Sequence, residues 1–289
     1  MLGVSTVREA LDQAEQILKS SGAIDHPHAG KERVDAEEIL SFVIGDGWGP
    51  RDELTSEEVR RFRTLVRKRA GGVPPAYITG RTEFHGLILD VRKGAFIPRQ
   101  SSEFMAEQAI RRLRRRVHPV HVDMATGVGP VALAVAHAVR AARVFGVDIS
   151  ATPVELARRN AARLGLSNAT FLRGDLFAPL PVALKGTVDV VTIHPPYVPR
   201  REVRTLPREI RAFEPPESLT DFSRDGLGLL SRVVQESTGW LRDGGWLLVE
   251  VSPDHARVVR AILSGAGLVD VRSTKGGVGV SRVLVGRRS

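Results

Sequence analysis

Hydrophobic positions in the first 70 residues recur at helical spacing. Val7, Leu11, Ala14 and Leu18 follow Thr6-Val7-Arg8-Glu9, in which a Thr and a Glu three apart form a capping-box signature. The pattern predicts a second helix from about Arg33 to Ile44, with Val34, Ile39, Leu40 and Val43 on its apolar side and the run GDGWGP as its stop. Thr55-Ser56-Glu57-Glu58 opens a third, with Val59, Phe62, Leu65 and Val66 inward. GGVPP at 71–75 reads as a linker, and residues 76–99 then alternate like a hairpin with glycine turns. A further helix is predicted at about 102–116.

From 119 onward, strand and helix patterns alternate. HPVHVDM, RVFGVDI, NATFLRGD, VDVVTIH and GGWLLVEVS read as strands, and helical runs lie between most of them. LVDVRS and SRVLVGR read as a closing strand pair. Such alternation predicts an α/β domain, a mostly parallel sheet with helices on both faces and its ligand crevice at the strand C-terminal ends. The expected layout is a small helical domain over 1–72, a linker and β-hairpin over 73–100, and the α/β domain over 101–289.

Composition narrows the chemistry. Cysteine is absent, which excludes disulfides, zinc thiolate sites and thiol nucleophiles. There is no apolar run of the ~20 residues a membrane helix needs and no signal-peptide core, so no membrane association and a cytoplasmic location are expected. The chain carries 42 Lys and Arg against 33 Asp and Glu, net +9. The excess lies after residue 75, where the balance is +11 against −2 before it. Arg200, Arg201, Arg204, Arg208 and Arg211 crowd one proline-rich stretch, readable either as a solvated loop or as a surface for an anionic partner.

Candidate chemistry begins at the strand ending in Asp123. It runs into Met124-Ala125-Thr126-Gly127-Val128-Gly129-Pro130 and a helix, and the glycines allow a sharp turn and close approach to a ligand. The next strand ends at Asp148, placed to bond a ribose diol, and the third in Gly174-Asp175, where Asp175 can accept from an adenine amino group. Acids at three successive strand ends suit a cationic, phosphate-free nucleoside such as S-adenosylmethionine (AdoMet). The fourth strand ends in His194-Pro195-Pro196-Tyr197. A polar side chain followed by Pro-Pro-Tyr resembles the motif of N-methyltransferases acting on planar amino groups. There a side-chain acceptor and a proline carbonyl can take both N–H bonds and orient the lone pair, while the tyrosine lies against the planar group.

Over nearly its full length the chain resembles the HemK/PrmC family of release-factor glutamine methyltransferases. The resemblance rests on VDAEEILSFVIG, AYITGRTEFHGL, AFIPRQSSE, VDMATGVGPVALAVA, VFGVDIS, NAARLGL, GDLF, Phe213-Glu214-Pro215, Asp225-Gly226-Leu227 and GGWLLVEVS, in order. It implies a class I, Rossmann-like methyltransferase fold with a seven-stranded sheet, AdoMet as cofactor with S-adenosylhomocysteine as product, and a peptide-chain release factor as substrate. It also implies cofactor contacts from Asp123, Thr126, Gly127, Gly129, Asp148, Ile149, Asp175, Leu176 and His194. The acceptor would be held by His194, Pro195, Pro196 and Tyr197, with substrate contacts from Phe96, Pro98, Arg99 and Glu214.

Three departures bear on function. His194 stands where the family has Asn, Ala125 replaces the first glycine of the cofactor loop, and Gln100-Ser101-Ser102 replaces Pro-Glu-Thr. Neutral histidine keeps one acceptor nitrogen and adds a group that can remove a proton, so activity should fall as pH drops through its pKa. Release-factor methylation, a diverged enzyme using His194 on another acceptor (a metabolite, another protein or RNA), and a non-catalytic AdoMet-binding protein all remain open. His85, His118, His121, His137 and His255 read as surface or satisfied core residues, and with His26 and His28 in a loop without acidic partners no metal is expected.

Overall fold

The computed structural model describes residues 5–25, 30–275 and 282–289; His26 and His28 lie outside them. Contacts divide the chain into two compact units, Met1–Arg81 with Arg204–Glu214, and Thr82–Val203 with Pro215–Ser289.

The first unit is helical. A two-residue pair, β1 (Ser5–Thr6) with β2 (Glu53–Leu54), ties its start to the approach to its third helix. Helices α1 (Val7–Lys19), α2 (Lys31–Ile44) and α3 (Ser56–Ala70) pack around Leu11, Leu18, Ile39, Leu40, Phe62 and Val66. Capping boxes start α1 and α3: Thr6 pairs with Glu9 and Thr55 with Glu58, each satisfying two otherwise orphaned N–H groups. Val34, expected on the inner side of α2, is exposed; the buried stripe runs through Ala36, Ile39 and Leu40, and residue 34 points away from it. Tyr77 to Thr79 are also not strand as expected. Pro75 opens a short helix, α4 (Pro75–Thr79), which Gly80 ends at φ +72°.

The second unit opens with the hairpin β3 (Arg81–Phe84) and β4 (Leu87–Asp90). A 3₁₀ turn at Gln100–Ser102 leads into α5 (Glu103–Leu113), which stops three residues short of its expected end. Then come β5 (Val120–Met124), α6 (Pro130–Ala138), β6 (Arg143–Asp148), α7 (Ala151–Arg163), β7 (Ala169–Arg173) and β8 (Val188–Ile193). The chain next gives α8 (Arg208–Phe213) to the first unit, and the second resumes with α9 (Pro216–Leu219), α10 (Gly228–Trp240), β9 (Leu241–Val251), α11 (Ala256–Gly265), β10 (Val269–Lys275) and β11 (Arg282–Arg287).

The seven strands lie in the order β10-β11-β9-β8-β5-β6-β7. Strands β7, β6, β5, β8 and β9 pair in parallel, and β11 runs antiparallel to both of its neighbours. This is the mostly parallel sheet expected from the alternating pattern. Two cores cover its faces, one with α5, α6 and α7, the other with α10 and α11. Alternation along the strands sends Val120, Val122 and Met124 of β5 into the second core and His121 and Asp123 to the opposite face. No helix among the described residues is long and apolar enough to cross a membrane.

Candidate active site

A cavity of about 300 Å³ lies at the C-terminal ends of β5, β6, β7 and β8. That is the crevice position of an open parallel sheet, at the lower end of small-molecule site volumes. Its walls include Asp123, Thr126, Gly127, Asp148, Ile149, Asp175 and Leu176 on one side. Phe96, Pro98, Arg99, His194, Pro195 and Pro196 stand on another. Three expected site residues do not line it: Gly129, Tyr197 and Glu214. Gly129 caps α6 at φ +85°, and a Cβ there would stand 2.9 Å from the Phe171 ring, so its need for glycine is structural. Glu214 is buried at the end of the segment that belongs to the helical unit.

The loop after β5 is built around two acids. Asp148 Oδ2 accepts from the Gly127 N–H at 2.9 Å and Oδ1 from the Ser150 N–H at 2.9 Å, which fixes the carboxylate at the cavity edge. Burial raises its pKa. A Cβ on Gly127 would meet nothing within 4 Å, so the loop is open toward the space beside it. Ala125, in the position of the family's first glycine, holds φ +50°, a left-handed conformation that costs an L-residue roughly 1–2 kcal/mol. Leu176, behind Asp175, does the same at φ +46°. Both strained residues line the cavity.

Asp123 is fully enclosed. Its two oxygens accept from Thr126 Oγ1 and Thr192 Oγ1, each at 2.6 Å, and His121 Nε2 lies 2.9 Å behind Thr192 Oγ1. With the Thr192 proton turned to the carboxylate, His121 donates to Thr192. Burial pushes Asp123 up to about 6 and His121 down to about 3, so this histidine is neutral. His121 Nδ1 is buried without a hydrogen-bond partner, so this histidine is less well satisfied than expected. Asp175 is half exposed, and its Oδ2 lies 2.7 Å from Arg232 of α10. An adenine amino group would therefore share that carboxylate with a guanidinium.

The motif after β8 is pinned by the chain that follows it. Pro196 O accepts the Asp221 N–H, and Val198 N–H donates to Leu219 O. Gly226 approaches so closely that a Cβ would stand 2.3 Å from the Tyr197 carbonyl oxygen, which gives Asp225-Gly226-Leu227 a structural reason. With the Pro196 carbonyl engaged, Pro195 is the proline whose carbonyl an acceptor can use. The Tyr197 ring stacks on the His194 imidazole, 5.6 Å between centroids at 16°. The edge of Phe96 meets the imidazole at 6.0 Å, and the Arg99 guanidinium lies 4.4 Å over Phe96.

His194 is the polar centre of this wall. Its Nδ1 is 3.1 Å from Ser102 Oγ and 3.7 Å from Glu250 Oε2. Burial lowers its pKa; Glu250 opposes that and Arg99 adds to it, so the ring is neutral at neutral pH. Glu250 was not singled out from the sequence. The signal was there: one acid inside the apolar strand run LLVEV, on the face of β9 that alternation turns toward α5. Among the described residues no cluster of three or more His, Asp or Glu could hold a metal ion.

Strand order, acidic strand ends and a His-Pro-Pro wall backed by Tyr197 define an AdoMet-dependent methyltransferase of class I. A methyltransferase-domain family model matches residues 122–215, and a PrmC N-terminal domain model matches residues 9–80. The chain is 34% identical over 288 residues to the release factor glutamine methyltransferase of Geobacter sulfurreducens, covering 98% of this chain and 96% of that one. It is 33% identical to that of Yersinia pestis, with 93% and 96% covered. Among solved structures, the T. Thermophilus 16S rRNA N2 G1207 methyltransferase in complex with AdoMet and guanosine aligns at TM-score 0.53 and 16% identity, over 72% of this chain and 50% of that one. The chain belongs to the HemK/PrmC family of release factor glutamine methyltransferases.

Proposed function

We propose that this protein transfers a methyl group from AdoMet to the side-chain amide nitrogen of a glutamine in a peptide-chain release factor. The observation that carries the reading is the meeting, in one cavity, of the Gly127–Asp148 cradle with His194 and Pro195. The residues fit the cofactor chemically. Two acids, the buried Asp123 and the half-buried Asp148, suit a cation; Asp148 is the ribose acceptor, Ile149 and Leu176 are apolar walls for the base, and open space adjoins Gly127. Thr126 holds Asp123 in place, and Gly129 lets α6 start beneath the loop.

Bound AdoMet supplies an electrophilic methyl on a sulfonium that leaves as a neutral thioether. The protein's task is to present the amide. Pro195 O and His194 Nε2 each accept one N–H, which aims the nitrogen lone pair at the methyl, and positioning of this kind accounts for much of such an acceleration. As the N–C bond forms, His194 can take the N–H proton that must leave. Tyr197 stiffens the imidazole by stacking. Phe96, Pro98 and Arg99 form the wall beside it, where the acceptor's flanking chain would lie. Residues 1–72 are assigned to recognition of the release factor, in a cytoplasmic protein; Glu214, buried and outside the cavity lining, is left without a substrate role. The exposed Arg200, Arg201, Arg204, Arg208 and Arg211 suit an anionic surface on the partner.

The test is transfer from labelled AdoMet to a purified release factor carrying its Gly-Gly-Gln loop. The expected result is label on the glutamine of that loop. AdoMet binding without any label on the release factor would overturn the substrate and leave a methyltransferase of another acceptor.

A further inference from the structure

Four side chains from three segments converge behind the cavity wall. Register brings two of them together: Ile193 of β8 pairs with Val249 of β9, so the next residues, His194 and Glu250, stand side by side where the strands end. The 3₁₀ turn before α5 supplies the other two. Ser101 Oγ donates to Glu250 Oε1 at 2.9 Å, and Ser102 Oγ lies 3.1 Å from His194 Nδ1. Glu250 has no solvent exposure, and its second oxygen, Oε2, has no hydrogen-bond partner although it lies 3.7 Å from Nδ1.

We propose that Glu250 is a positioning residue that sets the tautomer of His194, keeping the proton on Nδ1 so that Nε2 offers its lone pair to the N–H of the acceptor amide. The proposal rests on the function given above and adds how this chain manages with histidine in place of asparagine. A buried carboxylate oxygen without a donor is costly, and a lone pair on Nδ1 facing it would add repulsion. A proton on Nδ1 donates to Ser102 Oγ and turns the repulsion from Oε2, 3.7 Å away, into attraction. One-fifth of the His194 side chain is exposed, and with Nδ1 turned inward Nε2 is the nitrogen left to the cavity. The other groups around the ring are Arg99, which opposes a positive imidazole, Tyr197, stacked on it, and Phe96 at its edge. His255 lies beyond Tyr197, 5.7 Å from that ring. When the acceptor nitrogen forms its bond to the methyl carbon, its N–H proton passes to Nε2. The imidazolium then faces Glu250 until the proton leaves to solvent.

The test uses the full-length protein with nitrogen-15 histidine, His194 being assigned by its loss in His194→Asn. The expected spectrum without acceptor shows a protonated, pyrrole-type Nδ1 and a pyridine-type Nε2. The opposite assignment would overturn the proposal. In Glu250→Gln the preference should weaken, and the acid limb of kcat should move down by about one pH unit, as loss of a nearby anion requires. The same variant should lose roughly tenfold or more in kcat with KM for the release factor within about twofold, because only the proton-accepting group is misaligned. An unmoved tautomer and pH profile in Glu250→Gln would sink the idea. Should that variant fail to fold, Ser102→Ala decides: the Nδ1–H form persisting supports Glu250, and its reversal assigns the tautomer to the serine instead. The spectrum needs no acceptor, so a failed tautomer assignment is distinct from absent labelling of the release factor.

Discussion

At the scale of single residues, the site trades a neutral amide for a titratable ring. Burial is the main influence on His194, and it holds the pKa below the ordinary imidazole value of about 6.5. The ring is therefore competent at neutral pH and is lost as an acceptor only when pH falls through that lowered value. Methyl transfer should be level from pH 7 to 8 and decline on the acid side below about 6.5. Histidine at this position is the source of the decline. His194→Asn should restore the family motif, keep methyl transfer and flatten that limb, as read from kcat against pH with release-factor binding monitored separately. An acid limb unchanged in the variant would assign the titration elsewhere, with Asp123, raised to about 6 by burial, the next group to test.

At the scale of elements, loops carry the site and glycines decide how closely they approach. Gly226 sits at φ +73° against the Tyr197 carbonyl, so Gly226→Ala brings strain and a backbone collision together. It should cost about 3 kcal/mol or more and lower methyl transfer by displacing Pro195 and Tyr197. Gly86, in the β3–β4 turn at φ +74° with nothing within 4 Å, is the control. Gly86→Ala should cost about 1–2 kcal/mol from conformation alone and leave transfer intact. Thermal unfolding and transfer rates on both variants check the pair. Asn160 of α7 shows the same economy of means without glycine. Fully buried, it accepts from the Asp90 N–H and donates to the carbonyls of Asp90 and Val128, joining hairpin to cofactor loop.

At the scale of the whole molecule, the helical unit is closed by a segment that comes from far along the chain. Arg69 has no exposure; its Nε lies 2.6 Å from Asp35 and its Nη2 3.0 Å from Glu209, while Lys31 Nζ is 3.0 Å from Glu209. Arg69→Ala would remove the fully buried cation between Asp35 and Glu209 and leave both to Lys31 alone, at a cost of about 3 kcal/mol to this unit, and AdoMet binding, which belongs to the other unit, should remain. Calorimetry beside cofactor titration separates the two. Burial alone would raise the Glu209 pKa, but hydrogen bonds and charge from Arg69 and Lys31 outweigh it and leave the value lowered. A carboxyl lowered in the folded state stabilises above its unfolded value of about 4.3, and that contribution is lost as pH falls through the folded value. The helical unit should therefore weaken in acid below about pH 4, and less so in Glu209→Gln.

Elements and motifs were legible in the chain because their causes are local. Capping boxes at Thr6 and Thr55, strand-helix alternation from Val120 to Val251, the acids at 123, 148 and 175 and the run 194–197 need only neighbours in sequence to be read. Where a local signal misled, a stronger local one was present, as when Pro75 turned an alternating stretch into a helix. Pairings between distant segments were not legible. Ser101 and Glu250 are 149 positions apart and meet because strand order sets β9 beside β8 and its register sets Glu250 beside His194. The return of Arg204–Glu214 to the helical unit, through Glu209 and Arg69, is of the same kind. Residue types along the sequence determined that a methyltransferase cavity would form and which acids would line it. The proton arrangement of its histidine was decided by the tertiary structure, because a tautomer depends on which groups surround the ring in space.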